Sequence, residues 1–210
     1  MADLLSSVLV GSVIQAAEVV VAAAIGSVAL KGYKATGSPT FLRLSVSFVL
    51  VAAGILIQGA APYASEGFAE SVVMILGSAV EAVGYFALAL SHFFTVRQAI
   101  TAVTGILVLA PQASEPALAS LDIMVKAVSL YLLLYVSAET LIFFFEYKRR
   151  STIISIIGLL LLTAGLLLKL FSTMFTGYAN FFDLIKLAGL VVLLSPAGIL
   201  LRRRKAVTTS

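Results

Sequence analysis

Long apolar runs are the feature that most constrains the fold of this chain. Residues 153–168 carry no charged side chain, and the 210 residues as a whole are 61% hydrophobic and 11% charged. Soluble domains hold about 45–50% apolar and about 25% charged residues, so this composition cannot supply a water-covered surface. Lipid offers the backbone no hydrogen-bond partners, which leaves helices or a closed barrel, and barrel strands would alternate apolar with polar residues. The sequence predicts an all-α fold, a polytopic membrane helical bundle forming one domain over residues 1–210.

Charged breaks and breaks that contain proline or glycine divide the chain into seven candidate membrane spans. A helix needs about 20 predominantly apolar residues to cross the hydrocarbon core. The candidates cover residues 5–30, 41–61, 71–94, 96–110, 121–147, 151–171 and 178–201. The fourth candidate is the shortest and the weakest of the set.

The basic residues between these spans predict an orientation, because Lys and Arg near span ends favour the cytoplasmic side. Alternate breaks carry Lys31 with Lys34, Arg97, the run 148–150 and the run 202–205, whereas the intervening breaks carry acidic residues. All basic clusters fall on one side only if the number of spans is odd. The sequence therefore predicts a multi-pass cell-membrane protein with its N-terminus outside and its C-terminus in the cytoplasm.

Matching short segments predict an internal repeat. The matches are Gln15-Ala16-Ala17-Glu18 with Val136-Ser137-Ala138-Glu139, Ala53-Gly54-Ile55-Leu56 with Ala164-Gly165-Leu166-Leu167, and Glu81-Ala82-Val83-Gly84 with Lys186-Leu187-Ala188-Gly189. They define a first three-helix repeat over residues 1–94 and a second over residues 119–205. Residues 95–118 form a linker helix and loop between two repeats of the same orientation.

This arrangement of three, one and three helices resembles the parallel-repeat plan of SWEET-type proteins. The Pro-Gln dipeptide of the wider PQ-loop group occurs here at Pro111-Gln112, at the end of the fourth span, and not in the equivalent first and fifth spans. The hairpin sequence of residues 31–39 is similar to those of uncharacterised small archaeal seven-helix membrane proteins. That resemblance covers mainly the first two spans and implies no known activity.

Ionisable side chains inside the spans are the candidate functional residues, because such groups are costly within a membrane. Glu81 and Lys186 occupy equivalent positions in the two repeats, so we expect them to face each other as an ion pair across the pseudo-symmetry axis. The pair either acts as a gate or proton-linked switch, or it pins the helix packing. Asp183 lies three residues before Lys186, which predicts a local pair on one helix face.

Glu18 and Glu139 are candidate buried carboxyls, as is Asp183. Glu18 and Glu139 have no obvious partner at their depth, and an unpaired carboxyl in a low dielectric favours its neutral form. Two interpretations stay open. Such a group either relays protons or binds a cation, or it is a neutral acid that hydrogen-bonds a neighbouring helix.

Several function classes are excluded by composition. The chain has no Cys and one His, His92, so thiolate sites and cages of several histidines cannot come from this chain alone. We find no nucleophile with a base, phosphate loop or metal-ligand spacing, and expect no enzyme activity, no metal and no cofactor. The net charge of +4 sits mostly in clusters at span ends, which argues against nucleic-acid binding.

Two functional interpretations remain for a chain whose certain partner is the lipid bilayer. The first is a non-catalytic accessory or structural subunit that packs against other membrane protein subunits of a larger complex, favoured by short loops and a broad apolar exterior. The alternative is a small facilitator or proton-coupled transporter that uses intramembrane carboxylates at the repeat interface. A sensor would need a separate output partner.

Overall fold

The described part of the chain is helical. The computed structural model describes residues 2–64, 67–90, 115–147, 150–171 and 179–208. Within these ranges it contains six α-helices, one short 3₁₀-helix at Ala61–Tyr63 and no strand. The α-helices are α1 (Ala2–Thr36), α2 (Pro39–Ala60), α3 (Phe68–Leu90), α4 (Glu115–Tyr147), α5 (Arg150–Leu170) and α6 (Ala179–Thr208). The prediction of an all-α fold is confirmed for these residues.

Five of the helices are long and apolar enough to cross a membrane. The qualifying segments are Leu9–Thr36, Pro39–Tyr63, Phe68–Leu90, Ser120–Glu146 and Thr152–Leu170, and they belong to α1 to α5. Helices of this length and composition indicate a membrane-embedded protein. The predicted fourth span, residues 96–110, lies outside the described residues, as does most of the predicted linker 95–118.

The turn between α1 and α2 shows how the sequence ends one helix and starts the next. Gly37 adopts φ +68, a left-handed conformation that costs glycine little, and its N–H donates to Tyr33 O at 2.7 Å. Ser38 then has an extended backbone and Pro39 occupies the first turn of α2, where its missing N–H costs nothing. Two residues therefore suffice to reverse the chain into an antiparallel hairpin.

The six helices form a closed ring. Each helix packs against its neighbours in the sequence, and α6 returns to pack against α1. All six contribute to one apolar core, represented by Ala22, Phe48, Tyr85, Leu133, Leu162 and Leu190. Many large apolar side chains remain exposed on the outside of the ring, where lipid is the favourable solvent. Side chains that point into the ring are thus shielded from lipid and water alike.

Helix directions divide the ring into two groups, α1 to α3 and α4 to α6. Within each group neighbours run antiparallel, as in the α1–α2 hairpin and in the pairing of α5 with α6. The two groups meet at two interfaces, which we call seams. At the first seam, a Cβ added to Gly11 of α1 would lie 3.0 Å from Asn180 Oδ1 of α6. One to two turns further along both helices, Glu18 approaches Lys186. The α1–α6 seam is therefore parallel.

The second seam, between α3 and α4, is also parallel. Ser78 donates to Asp122 at 2.8 Å, which joins the first half of α3 to the first quarter of α4. α4 ends at Tyr147 and α5 begins at Arg150, and Ser137 of α4 lies 3.4 Å from Thr163 of α5. α4 therefore runs opposite to α5 and in the direction of α6. We call the end of the bundle where α1, α3, α4 and α6 begin the Phe68 end, and the opposite end the Pro39 end.

Glycines bring particular helices into backbone contact. A Cβ added to Gly54 of α2 would lie 2.5 Å from the backbone N of Glu81 on α3. A Cβ added to Gly165 of α5 would lie 2.8 Å from the backbone N of Lys186 on α6. Small residues permit this approach between helices in lipid. Each glycine fixes the height of an ionisable residue on the helix opposite.

Candidate functional site

Five buried polar side chains meet inside the ring: Glu18 of α1, Gln58 of α2, Glu81 and Tyr85 of α3, and Lys186 of α6. We call this set the buried polar centre. Lys186 Nζ lies 2.7 Å from Glu81 Oε1 and 3.5 Å from Glu18 Oε2. Relative exposure is 1% for Glu18, 4% for Glu81 and 1% for Lys186. Both groups of helices supply charges to one buried site.

Glu81 is well supplied with donors. Besides the Lys186 ammonium, Tyr85 OH donates to its Oε1 at 2.6 Å and Gln58 Nε2 donates to its Oε2 at 2.7 Å. Hydrogen bonds to a charged group are stronger than those between neutral groups. A buried carboxylate requires such donors to offset its loss of hydration, and Glu81 has three. Glu81 is therefore built to be ionised.

The sequence prediction missed Gln58 and Tyr85 as members of the site. Tyr85 follows Glu81 by four residues, so both lie on one face of α3, a spacing that marks Tyr85 as a possible donor. Gln58 is an amide within an otherwise apolar stretch of α2. Both signals were present, but neither identifies the neighbouring helix that each side chain faces.

Glu18 differs from Glu81 in its surroundings. Both of its carboxyl oxygens are buried, and neither has a hydrogen-bond partner among the described residues. The ammonium of Lys186 lies 3.5 Å from Glu18 Oε2 and is closer to Glu81, at 2.7 Å from Oε1. The centre thus contains two carboxyl groups and one ammonium, with the hydrogen bonds all directed to one carboxyl.

Asp183 does not form the local pair with Lys186 that the sequence predicted. Its Oδ1 accepts from Lys169 Nζ of α5 at 2.7 Å, toward the Phe68 end of the bundle. The prediction failed because Lys186 extends inward to Glu81, while α5 brings a second lysine within reach of Asp183. Asp183 is buried as a residue, and this pair joins α5 to α6.

Glu139 lies on α4 and is partly buried, so its burial within a membrane stays a prediction. It accepts a hydrogen bond from Tyr135 OH at 3.1 Å. Lys126 pairs with Asp122 four residues earlier on the same helix. The neighbours of Glu139 at positions 142 and 143 are exposed, and this carboxyl does not join Glu18 in the buried polar centre.

The chemistry available to the centre is the holding and exchange of protons and ion-pair partners. Among the described residues, no group of three or more His, Cys, Asp or Glu side chains is placed to hold a metal ion. The Lys186 ammonium also occupies the position from which a cation would neutralise the two carboxyls. A lysine between two carboxyl groups can, in contrast, change partner by a small rotation.

The fold and this site define a polytopic helical membrane protein with a charged centre enclosed by its helices. No protein-family model matches the chain, and neither the curated proteins nor the solved structures contain a match. The resemblances to small archaeal membrane proteins and to SWEET-type architecture therefore find no support in these comparisons. The class is supported by the helices themselves.

Proposed function

We propose that the protein is a small proton-linked membrane transporter in which the helix groups α1 to α3 and α4 to α6 move against each other. The observation that carries the proposal is the buried polar centre, where Lys186 of one group binds Glu81 and approaches Glu18 of the other. In transporters built from repeats, substrate and coupling-ion sites lie at the repeat interface near the bilayer midplane. A lysine shared between the groups is suited to link their movement to protonation.

Repeated backbone contacts in the two groups support the predicted duplication, and with it this proposal. A Cβ on Gly84 would lie 2.8 Å from the backbone N of Val51, and a Cβ on Gly189 would lie 2.7 Å from that of Leu162. A Cβ on Gly54 and one on Gly165 would likewise approach the backbone N of Glu81 and of Lys186. We infer from these contacts that α2 corresponds to α5 and α3 to α6, with Glu81 and Lys186 as equivalent positions.

The two groups differ in what they supply to the buried polar centre. The first group supplies both carboxyls, and the second supplies the lysine.

The parallel seams support a seventh crossing, and with it an odd number of spans. α3 finishes at Leu90, at the Pro39 end, whereas α4 begins at Glu115, at the Phe68 end. We infer that the chain between these two helix ends crosses the membrane once more, and we assign this crossing to the predicted span 96–110. The helix ends that carry Lys31, Lys34, Arg150 and the run 202–205 share the Pro39 end, which we assign to the cytoplasm.

Reconstitution into liposomes tests the transport function. We expect uptake of at least one of radiolabelled glucose, alanine and lactate, driven by an imposed acid gradient and exceeding that of protein-free liposomes. Lys169→Met, which removes a lysine outside the centre, should retain the uptake. The double variant Glu81→Gln with Lys186→Met, which keeps the centre neutral, should fold and lose it. Absence of uptake for all three solutes, or full uptake by the double variant, would contradict the proposal.

A second candidate function, an accessory subunit of a membrane complex, is favoured by Glu139. This carboxyl is partly exposed inside a candidate span, on the helix with the lowest buried share of the five, and its neighbours Ile142 and Phe143 are exposed. A carboxyl that faces lipid is costly, and a partner subunit would cover it. Purification in mild detergent should then yield a stoichiometric partner that Glu139→Ala releases and Glu70→Gln retains.

A further inference from the structure

We infer that Glu18 is the site at which the coupling proton binds, and that Lys186 moves from Glu81 to Glu18 when this proton leaves. The inference deepens the transport proposal and its coupling role rests on it. The proton site itself follows from the geometry of the buried polar centre. Neither the sequence pattern nor the ion pair between Glu81 and Lys186 distinguishes which carboxyl takes up the proton.

The charges of the centre require one further positive charge. Glu18 and Glu81 would together carry two negative charges against the single ammonium of Lys186. Glu81 receives the donors of Tyr85, Gln58 and Lys186, so its ionised form is stabilised. Glu18 receives no hydrogen bond from the described residues, and a buried group in that position neutralises in preference to carrying an unpaired charge.

The groups that surround Glu18 do not supply the missing charge. α6 brings Lys186 and Asp183, α3 brings Glu81 and Tyr85, and α5 brings Lys169. Lys169 and Asp183 are paired with each other at 2.7 Å, so together they add no net charge. α2 contributes the uncharged Gln58, since its Arg43 donates to Leu90 O at the Pro39 end.

A proton fits this position and a metal ion does not. Hard cations such as Na⁺ and Mg²⁺ bind several oxygen ligands, and the described residues bring no third carboxylate or histidine to the centre. An ammonium already stands 3.5 Å from Glu18 Oε2 and would repel a second cation there. A proton adds to one oxygen of Glu18 and needs no further ligand.

The centre is arranged so that Lys186 can change partner. When the helix groups move so that water reaches the centre, Glu18 releases its proton to that water. It then becomes a carboxylate at 3.5 Å from the ammonium, and the attraction draws Lys186 toward α1. Glu81 keeps its hydrogen bonds from Tyr85 and Gln58, so it stays stabilised after Lys186 withdraws. The exchange weakens the contact of α6 with α3 and strengthens its contact with α1. Reprotonation of Glu18 reverses the movement.

Infrared difference spectroscopy of the full chain in lipid nanodiscs tests the proton site. Raising the pH should remove the carbonyl band of a protonated carboxyl in an apolar environment, with release of one proton per chain to a pH-indicator dye. Glu18→Gln should lose that band and that proton. Glu139→Gln, a matched change of a span carboxyl outside the centre, should retain both. Glu18→Asp keeps a carboxyl and should show a displaced band, which covers the case of a Gln variant that does not fold.

Several results would overturn the inference. One is a wild-type protein with no such band, and another is a band that survives in Glu18→Gln and vanishes in Glu81→Gln. A third is disappearance of the band when choline chloride is replaced by sodium chloride at constant pH, which would show that the site binds a metal cation. The band does not depend on transport. A band without solute uptake would therefore contradict the transport function and leave the proton site standing. Uptake without the band would contradict the assignment of Glu18 and leave the transport function standing.

Discussion

At the residue scale, two glutamates of the same helical bundle have opposite environments. Glu81 is surrounded by donors on α2, α3 and α6, and Glu18 by none among the described residues. Their sequence contexts are alike, since each is a carboxyl in the interior of an apolar, alanine-rich helix whose other carboxyl lies in its first turn. The difference comes from the helix opposite each residue, and it makes the effects of substitution at the centre unequal.

Replacement of Lys186 should be the most harmful single change at the centre. Lys186→Met leaves Glu81 as a buried charge without a counter-ion, which costs about 3–5 kcal/mol. Adding Glu81→Gln should recover most of this loss, because the remaining Glu18 is then a neutral acid. Loss of helical circular dichroism on titration with sodium dodecyl sulfate measures the stability. Lys34→Met, at an exposed lysine outside the centre, is the control and should cost about 1 kcal/mol or less.

The two carboxyl substitutions should be strongly non-additive. Glu18→Gln removes no hydrogen bond and should change stability by less than about 1 kcal/mol, in the range of neutral substitutions. Glu81→Gln should be milder than Lys186→Met, because Lys186 can turn to Glu18. Both changes together leave Lys186 without a carboxylate partner. The interaction energy between the two substitutions should therefore approach the upper part of the range of about 0.5–3 kcal/mol found for contacting residues. Additive effects in the same denaturation assay would show that Lys186 cannot reach Glu18.

At the element scale, helix pairs are held by glycines at which side chains would collide with the opposite backbone. The pairs α2–α3 and α5–α6 each depend on such contacts, and the packed face carries an ionisable residue next to a glycine. Hydrophobic patterning contributes little to this specificity, because both faces of these helices are apolar. What selects the partner is the ability of two backbones to approach.

Alanine at these glycines should separate the helices. Gly54→Ala and Gly165→Ala add a Cβ at 2.5 Å and 2.8 Å from backbone nitrogens, and overpacking of this kind costs about 1–3 kcal/mol. Gly59→Ala is the matched control, since its Cβ would meet only the amide end of Gln15, at 3.2 Å. The stability of the three variants in detergent provides the comparison. Equal effects at all three positions would contradict the packing described for the two pairs.

At the scale of the whole molecule, the directions of the helices decide which loops share a side of the membrane. The Phe68 end holds the α2–α3 turn and the end of α5, while the Pro39 end holds the α1–α2 turn. This assignment depends on two parallel seams and not on charge. Which of the two ends faces the cytoplasm stays a prediction from the basic residues.

Cysteine labelling in intact cells checks this arrangement, because the chain contains no Cys of its own. A membrane-impermeant maleimide should label Tyr63→Cys and Phe171→Cys from outside, and should label Thr40→Cys only after the cells are opened. All three positions are exposed in the structure. Labelling of Tyr63→Cys and Phe171→Cys from opposite sides would show that α3 and α4 are not parallel.

The sequence by itself determined the solvent and the secondary structure of this protein. Runs such as residues 153–168 leave no other stable state for the backbone than helices in lipid. The sequence also marked Glu81 and Lys186, because their neighbours Gly84 and Gly189 recur at one spacing, and the structure places the two side chains 2.7 Å apart. The sequence was therefore sufficient to predict those features that depend on composition, or on the spacing of residues along a single helix.

Only the tertiary structure decided the contacts of Glu18, Gln58, Asp183 and Glu139. Gln58 donates to Glu81, Asp183 pairs with Lys169, and Glu139 turns outward while Glu18 turns inward. None of these outcomes follows from position along a helix, because helices that are apolar on all sides leave open which face meets which neighbour. Close backbone approach at glycines and the order of the helices around the ring decide which faces meet. They place Glu18 beside Lys186, which is already paired with Glu81.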